Sequence, residues 1–270
     1  MKYKHNFFIL IIIISLFISS ISKADVLFDP LVANPLEARV GTIYDGKNDK
    51  MRLDIGTSLD LLEISNSEKH KINLGTDFMT YTRLRSEGKL KFPVETSDYF
   101  FGINFSGIYQ LEDSNSLEYR IRVAHISSHL IDGYTNLPEY TFRQMPFVFS
   151  REFVDALVAL RIGDSRVYVG LNSIFSTKPK NITNFVPQAG FEHKAELLNN
   201  LHLVGGYDVK LVGTNSVLQA QNAIQLGVKY QEKDKAGVFV GLYYFSGPSI
   251  HGMFYDKKDN YLGIGFQVIP

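Results

Sequence analysis

The run Arg52-Leu53-Asp54-Ile55-Gly56-Thr57-Ser58-Leu59-Asp60-Leu61 decides the fold. Leu53, Ile55, Thr57, Leu59 and Leu61 alternate with Arg52, Asp54, Gly56, Ser58 and Asp60. Side chains on a strand point to opposite faces in turn, so the segment has one apolar face and one polar, small-residue face. The same period returns where Ile72, Leu74, Thr76 and Phe78 oppose Lys71, Asn73, Gly75 and Asp77. It returns again where Phe101, Ile103, Phe105 and Tyr109 oppose Gly102, Asn104, Ser106 and Gln110. Late in the chain Ile224, Leu226, Val228 and Tyr230 oppose Gln225, Gly227 and Lys229, and Leu262, Ile264, Phe266 and Val268 oppose Gly263, Gly265 and Gln267.

Working outward on this criterion, about twelve strands are predicted. They lie near 36–44, 51–63, 69–84, 98–111, 117–129, 147–162, 166–175, 186–197, 201–211, 217–230, 236–246 and 261–269. The stretch 147–162 has a second reading, because Phe153-Val154-Asp155-Ala156-Leu157-Val158-Ala159-Leu160 also suits a helix. Most segments exceed the ~5–6 residues of a soluble strand and match the length of a tilted bilayer-crossing strand. Links after even-numbered segments are mostly short and polar, such as Gly163-Asp164-Ser165 and Leu198-Asn199-Asn200. Links after odd-numbered segments are often long: 85–97, 130–146, 176–185 and 247–260. Short turns on one rim and long loops on the other describe an all-β, up-and-down antiparallel transmembrane barrel.

The polar faces carry Arg39, Asp77, Arg83, Glu118, Arg120, Arg122, Asp155, Arg161, Glu192, Lys194, Asp208 and Lys210, which a membrane barrel would enclose in its lumen. A soluble lipocalin-like barrel would reverse the two faces. Tyr (15) and Phe (20) are plentiful enough for aromatic girdles at both interfaces.

Composition narrows the function classes. The chain has 270 residues, and its 28 Lys+Arg balance 28 Asp+Glu, so nucleic acid is not an expected partner. The absence of Cys excludes disulfides, thiolate metal sites and a Cys nucleophile, and no cofactor or metal site is expected. Residues 1–24 read as a secretory signal peptide, with Lys2 and Lys4 before the apolar run Phe7 to Phe17 and small residues at Ser22 and Ala24. Its removal leaves a net charge of 25 − 28 = −3. The expected organisation is therefore a signal peptide (1–24), a short periplasmic segment (25–35) and an outer-membrane barrel (36–270). The expected surroundings are membrane lipids and lipopolysaccharide, with the barrel-assembly machinery as partner. Gly263, Phe266 and Val268 resemble the C-terminal assembly signal of such barrels, although Pro270 stands where an aromatic is usual.

Five strings resemble one bacterial outer-membrane family, grouped as domain of unknown function 1207. They are Phe28-Asp29-Pro30-Leu31-Val32-Ala33-Asn34-Pro35, His125-Ile126-Ser127-Ser128-His129-Leu130, Phe147-Val148-Phe149-Ser150-Arg151-Glu152-Phe153, Ser249-Ile250-His251-Gly252-Met253-Phe254-Tyr255 and Tyr261-Leu262-Gly263-Ile264-Gly265. The resemblance implies a barrel in the outer membrane and carries no established activity.

Chemistry, if present, is expected in the fifth strand, where alternation puts His125 and Ser127 together on the lipid-facing side, near the long-loop rim. His125-x-Ser127 with Glu139 downstream is similar to the pattern of outer-membrane lipid A deacylases. Outer-membrane phospholipase A uses the same pair with a downstream Asn. Both families carry the pair on the outer wall of the barrel. By that resemblance Ser127 would be nucleophile, His125 base and Glu139 the orienting carboxylate, with Asp132 a competing orienter. Ser128-His129 departs from the Asn and small residue that follow the serine in those enzymes. The plainer reading is that His and Ser merely sit at headgroup level.

Three functions compete: a structural or narrow-pore barrel, an outer-leaflet lipid esterase, and a surface receptor or adhesin using loops 130–146 and 247–260. An open bore would favour the pore, and a plugged bore with His125 within hydrogen-bond reach of Ser127 the esterase. Ser249 and His251 could bind a headgroup or cap their loop. Asp45-Gly46-Lys47-Asn48-Asp49-Lys50 reads as a surface turn rather than a calcium loop, because Lys47 stands where an oxygen ligand is needed.

Overall fold

The computed structural model describes residues 26–89, 91–112, 114–136, 139, 141–232 and 236–269; the signal-peptide reading of 1–24 lies outside them. All twelve expected segments form strands: β1 Val40–Asp45, β2 Lys50–Asn66, β3 His70–Arg85, β4 Val94–Glu112, β5 Asn115–Leu130, β8 Phe149–Ile162, β9 Ser165–Lys178, β10 Phe185–Leu198, β11 Leu201–Thr214, β12 Val217–Tyr230, β13 Gly237–Pro248 and β14 Lys258–Ile269. The short pair β6 Thr135–Asn136 and β7 Thr141–Phe142 makes a separate hairpin in the longest loop. Each barrel strand pairs antiparallel with its neighbours, and β1 closes on β14 from Val40↔Val268 to Tyr44↔Ile264. The ambiguous segment is strand β8, because a helix there would leave the facing edges of β5 and β9 unpaired in the membrane.

The apolar face points outward on every side. Ile55, Phe101, Ile103, Val123, Val169, Phe191, Val240 and Ile264 are all exposed, while Asp54, Asp77, Arg120, Arg122, Asp155 and Asp208 are buried. This is the arrangement of a wall facing acyl chains. The strand that carries the founding alternation bulges twice. The β2–β3 register slips between Asp60 and Leu62 and again between Glu63 and Ser65, so Leu61 and Ile64 are taken up in bulges, and Leu62 and Ile64 are exposed. Asp45-Gly46-Lys47-Asn48-Asp49 is a turn, in which Asp45 Oδ1 accepts the backbone N–H of Lys47 at 3.1 Å.

The segment before β1 does not hang below the barrel as a periplasmic extension. It runs up inside the lumen. Phe28, Leu31, Asn34 and Glu37 are buried. Arg120 grips Glu37 with two hydrogen bonds of 2.6 and 2.9 Å, and Lys210 reaches Asn34 Oδ1 at 2.5 Å. Asp60 and Glu192 accept the backbone N–H groups of Leu27 and Val32 at 2.9 Å each. Phe28 lies under two guanidinium groups, with Arg120 at 4.6 Å and Arg166 at 5.2 Å from its ring centre. The lumen charges need counter-charges and hydrogen-bond partners, and this segment supplies them. A turn at 34–37 delays the first strand to Val40, as Asn34 Oδ1 accepts the N–H of Leu36 at 3.0 Å.

From the opposite rim, the 249–257 loop folds down into the barrel mouth. Met253 and Phe254 are buried, and the Arg83 guanidinium lies 3.6 Å from the Phe254 ring centre.

Two measurements follow. The chain has no Trp, so Val123→Trp is a clean reporter: its emission should be quenched by lipids brominated in the acyl chain, and absence of quenching would contradict the outward face. Glu37→Ala leaves the buried Arg120 without the carboxylate it grips, while Arg122 keeps Asp155, and should destabilise the folded barrel by roughly 3–5 kcal/mol, read as a lower thermal midpoint in detergent.

Candidate functional site

The hydrogen-bonded register of three strands brings the site together. His125 and Ser127 are outward residues of β5, as expected. On β8, the strand that the long loop returns, Glu152 pairs with His125 and Ser150 pairs with Ser127. On β9, Ser176 pairs with Glu152 and Lys178 pairs with Ser150. Phe101 and Tyr99 of β4 flank His125 and Ser127 on the other side. Two rows therefore cross the outer wall close to the long-loop rim. One runs Phe101–His125–Glu152–Ser176, the other Tyr99–Ser127–Ser150–Lys178.

His125 Nδ1 lies 2.9 Å from Glu152 Oε1. The His125 side chain is 45% exposed and Glu152 30%, so both are reached from the lipid side. Ser150 Oγ donates to the same carboxylate oxygen at 2.5 Å, and Ser176 is a further hydroxyl on that carboxylate. Ser127 makes no side-chain hydrogen bond among the described residues, so its hydroxyl is uncommitted. Nucleophile–base contacts are commonly loose without substrate and tighten when it binds.

Glu139, the carboxylate taken from the resemblance, stands exposed in the turn between β6 and β7, and Asp132 is exposed in the 3-10 turn after β5. The carboxylate on His125 is Glu152. Spacing along the chain could not single it out, because it arrives by cross-strand pairing 27 residues downstream. The only sequence signal was Ser150-Arg151-Glu152 at the start of the following strand, with Ser150 and Glu152 on one face.

The inner sides of the same strands are locked. Ile126 is fully buried, and Phe149 and Phe153 pack in one apolar cluster with Met253 and Phe254. Ser128 Oγ accepts the Met253 N–H at 3.1 Å and lies 3.3 Å from Thr96 Oγ1. Asp98 holds His251 Nδ1 at 2.7 Å and the Gly252 N–H at 2.8 Å. A Cβ on Gly252 would run into the Phe149 ring, so only Gly lets this loop press against β8. Ser249 Oγ accepts the His251 N–H at 3.2 Å, and both residues are buried. Ser249 and His251 thus brace the loop and do not face a headgroup.

Comparison with known proteins agrees with this architecture. The family described as "Protein of unknown function (DUF1207)" matches residues 14–268. The chain belongs to that family. A search of curated proteins finds no match. Among solved structures, outer membrane phospholipase A from Escherichia coli is similar, with TM-score 0.56 and 12% identity over 93% of this chain and 96% of that one. An active-site mutant of the same enzyme gives TM-score 0.57 and 13% identity, with the same coverage. The β domain of the Bordetella autotransporter BrkA is a weaker match, at TM-score 0.47 and 8% identity over 84% of this chain and 96% of that one. At such identities the phospholipase likeness is one of fold alone. A closed twelve-strand barrel with an apolar outer wall, built like outer membrane phospholipase A, places the chain in the bacterial outer membrane.

Ser128→Ala removes the acceptor for the buried Met253 N–H while leaving both outer rows intact. It should cost about 1–3 kcal/mol of stability, measured by denaturant unfolding in detergent; no change would show that the loop does not lean on β5.

Proposed function

We propose that this protein is an acyl-ester hydrolase of outer-leaflet lipids, with Ser127 as nucleophile, His125 as base and Glu152 as the carboxylate that orients the imidazole. One observation carries the reading: the 2.9 Å contact of His125 Nδ1 with Glu152 on the outer wall, two residues from an outward serine. A carboxylate on Nδ1 favours the tautomer protonated there, which leaves the Nε2 lone pair free to act as base.

In the proposed reaction, Ser127 Oγ attacks the ester carbonyl carbon and its proton passes to His125 Nε2. The tetrahedral adduct collapses, the carbon–oxygen bond to the lipid alcohol breaks, and that oxygen takes the proton back from His125. Water, deprotonated by the same nitrogen, then attacks the acyl-serine, releases a fatty acid and restores Ser127. Glu152 stays ionised and stabilises the imidazolium that forms twice in the cycle. The E. coli neighbour is by name a phospholipase A on the same kind of barrel, which supports a lipid ester as substrate class.

The filled lumen weighs against a passive pore, since the N-terminal segment and the 249–257 loop occupy the bore. A second reading, ligand capture at the cell surface, draws on a polar cleft at the rim lined by Asp45, Lys47, Lys50, Arg83, Lys258 and Asp259.

Ser127→Ala and His125→Ala should each lower release of fatty acid from outer-membrane lipids by about 10³-fold or more, and Glu152→Gln by at least about tenfold. Glu139→Ala should leave it unchanged. Lipid profiles of cells expressing parent or variant protein read the outcome directly. Equal acylation in the parent, Ser127→Ala and empty strains would remove the hydrolase reading.

A further inference from the structure

We propose that Lys178 is the phosphate anchor of this site, so that the substrate is an ester lipid carrying a phosphate close to the scissile bond. The inference rests on the hydrolase reading and adds orientation and specificity to it.

The argument starts from register. Ser127, Ser150 and Lys178 are successive partners across β5, β8 and β9, and each is on the outward face. Neighbouring strands lie about 4.8 Å apart, so the Lys178 backbone stands about 10 Å from that of Ser127 along one row. Lys178 is exposed and has no ion-pair partner among the described residues. The carboxylate nearest to it in these rows, Glu152, is already occupied by His125, Ser150 and Ser176. The ammonium group is thus available to a ligand.

Depth points the same way. Lys178 is the last residue of β9, at the long-loop rim, and a lysine there extends its apolar stem along the wall while its charge sits among headgroups. An ammonium group binds phosphate as a strong point charge with three donors.

The opposite end of the row has the opposite chemistry. Tyr99 and Phe101 on β4 are exposed beside Ser127 and His125. Phe147 and Val148, just ahead of β8, add exposed apolar surface on the rim side. Across four strands the wall therefore runs from aromatic rings, through hydroxyls and imidazole, to an ammonium. A lipid whose acyl chain, ester and phosphate follow in that order matches it: chain over Tyr99 and Phe101, carbonyl at Ser127, phosphate at Lys178. Both a glycerophospholipid and a phosphorylated lipid A carry these groups.

The test uses the mature chain folded in detergent micelles, as parent, Lys178→Gln, Lys178→Arg and Ser127→Ala. Substrates are phosphatidylglycerol against the matching diacylglycerol, and lipid A with and without its phosphates. The parent should cleave the phosphate-bearing member of one pair about tenfold faster. In Lys178→Gln that ratio should fall towards one through KM, and Lys178→Arg should restore it. The pair that shows the effect identifies the lipid source. A ratio retained in Lys178→Gln, or absent in the parent, overturns the anchor and leaves the hydrolase standing, whereas Ser127→Ala as active as the parent overturns the hydrolase. Equilibrium binding of phosphatidylglycerol to Ser127→Ala, with and without Lys178→Gln, reads the same contact without turnover. Equal affinities there also overturn the anchor.

Discussion

A strand immersed in hydrocarbon has no solvent to satisfy its N–H and C=O groups, so the hydrogen-bond ladder must close on itself. Here it closes through the shortest barrel strand, β1, which pairs with β14 on one side and β2 on the other. Once the ladder is closed, each strand has one side toward lipid and one toward a narrow interior. Alternation then sorts the chain without further instruction. Ile121 and Val123 go out, and Arg120, Arg122 and Ala124 go in.

That sorting creates a problem for the interior. Arginines and carboxylates from nearly every strand are pressed together away from water, where an unpaired charge is costly. The lumen answers with dense pairing. Arg122 meets Asp155 at 2.9 Å, Arg166 meets Glu192 at 2.5 Å and Glu118 at 3.1 Å, and Arg52 meets Asp54 at 2.6 Å. The N-terminal segment completes it by bringing Glu37 to Arg120 and its backbone groups to Asp60, Glu192 and Arg52. The 249–257 loop closes the other mouth, with Asp98 and Ser128 as its anchors. The packed interior backs the wall. The strand ends that carry His125, Ser127 and Glu152 are backed by Ile126, Phe149, Phe153 and Met253, which leaves them little room to drift.

The site on the outside of that wall is a product of register. His125 and Ser127 share a face because they are two residues apart, and that much is local. Glu152, Ser176 and Lys178 join them only because β5 pairs with β8 and β8 with β9 at one offset out of several possible. A bulge between β8 and β9 at Phe175 refines that offset and turns Phe175 outward, with 63% exposure. A slip of one residue between β5 and β8 would turn Glu152 and Ser150 to the lumen and leave His125 and Ser127 outside without them.

By itself, the order of residues determined the barrel, the number of its strands, the outward direction of the apolar faces and the outward placement of His125 and Ser127. All of these follow from a period of two, which is a local property of a strand. The tertiary structure alone decided three other matters: that residues 26–39 fill the lumen, that Leu61 is absorbed in a bulge, and that Glu152 rather than Glu139 is the carboxylate on His125. Each depends on groups far apart in the chain, on how charges inside the closed ladder balance and on which residues face each other across it. Alternation along a single strand carries no record of its neighbour's register, so these contacts exist only once the ring is closed.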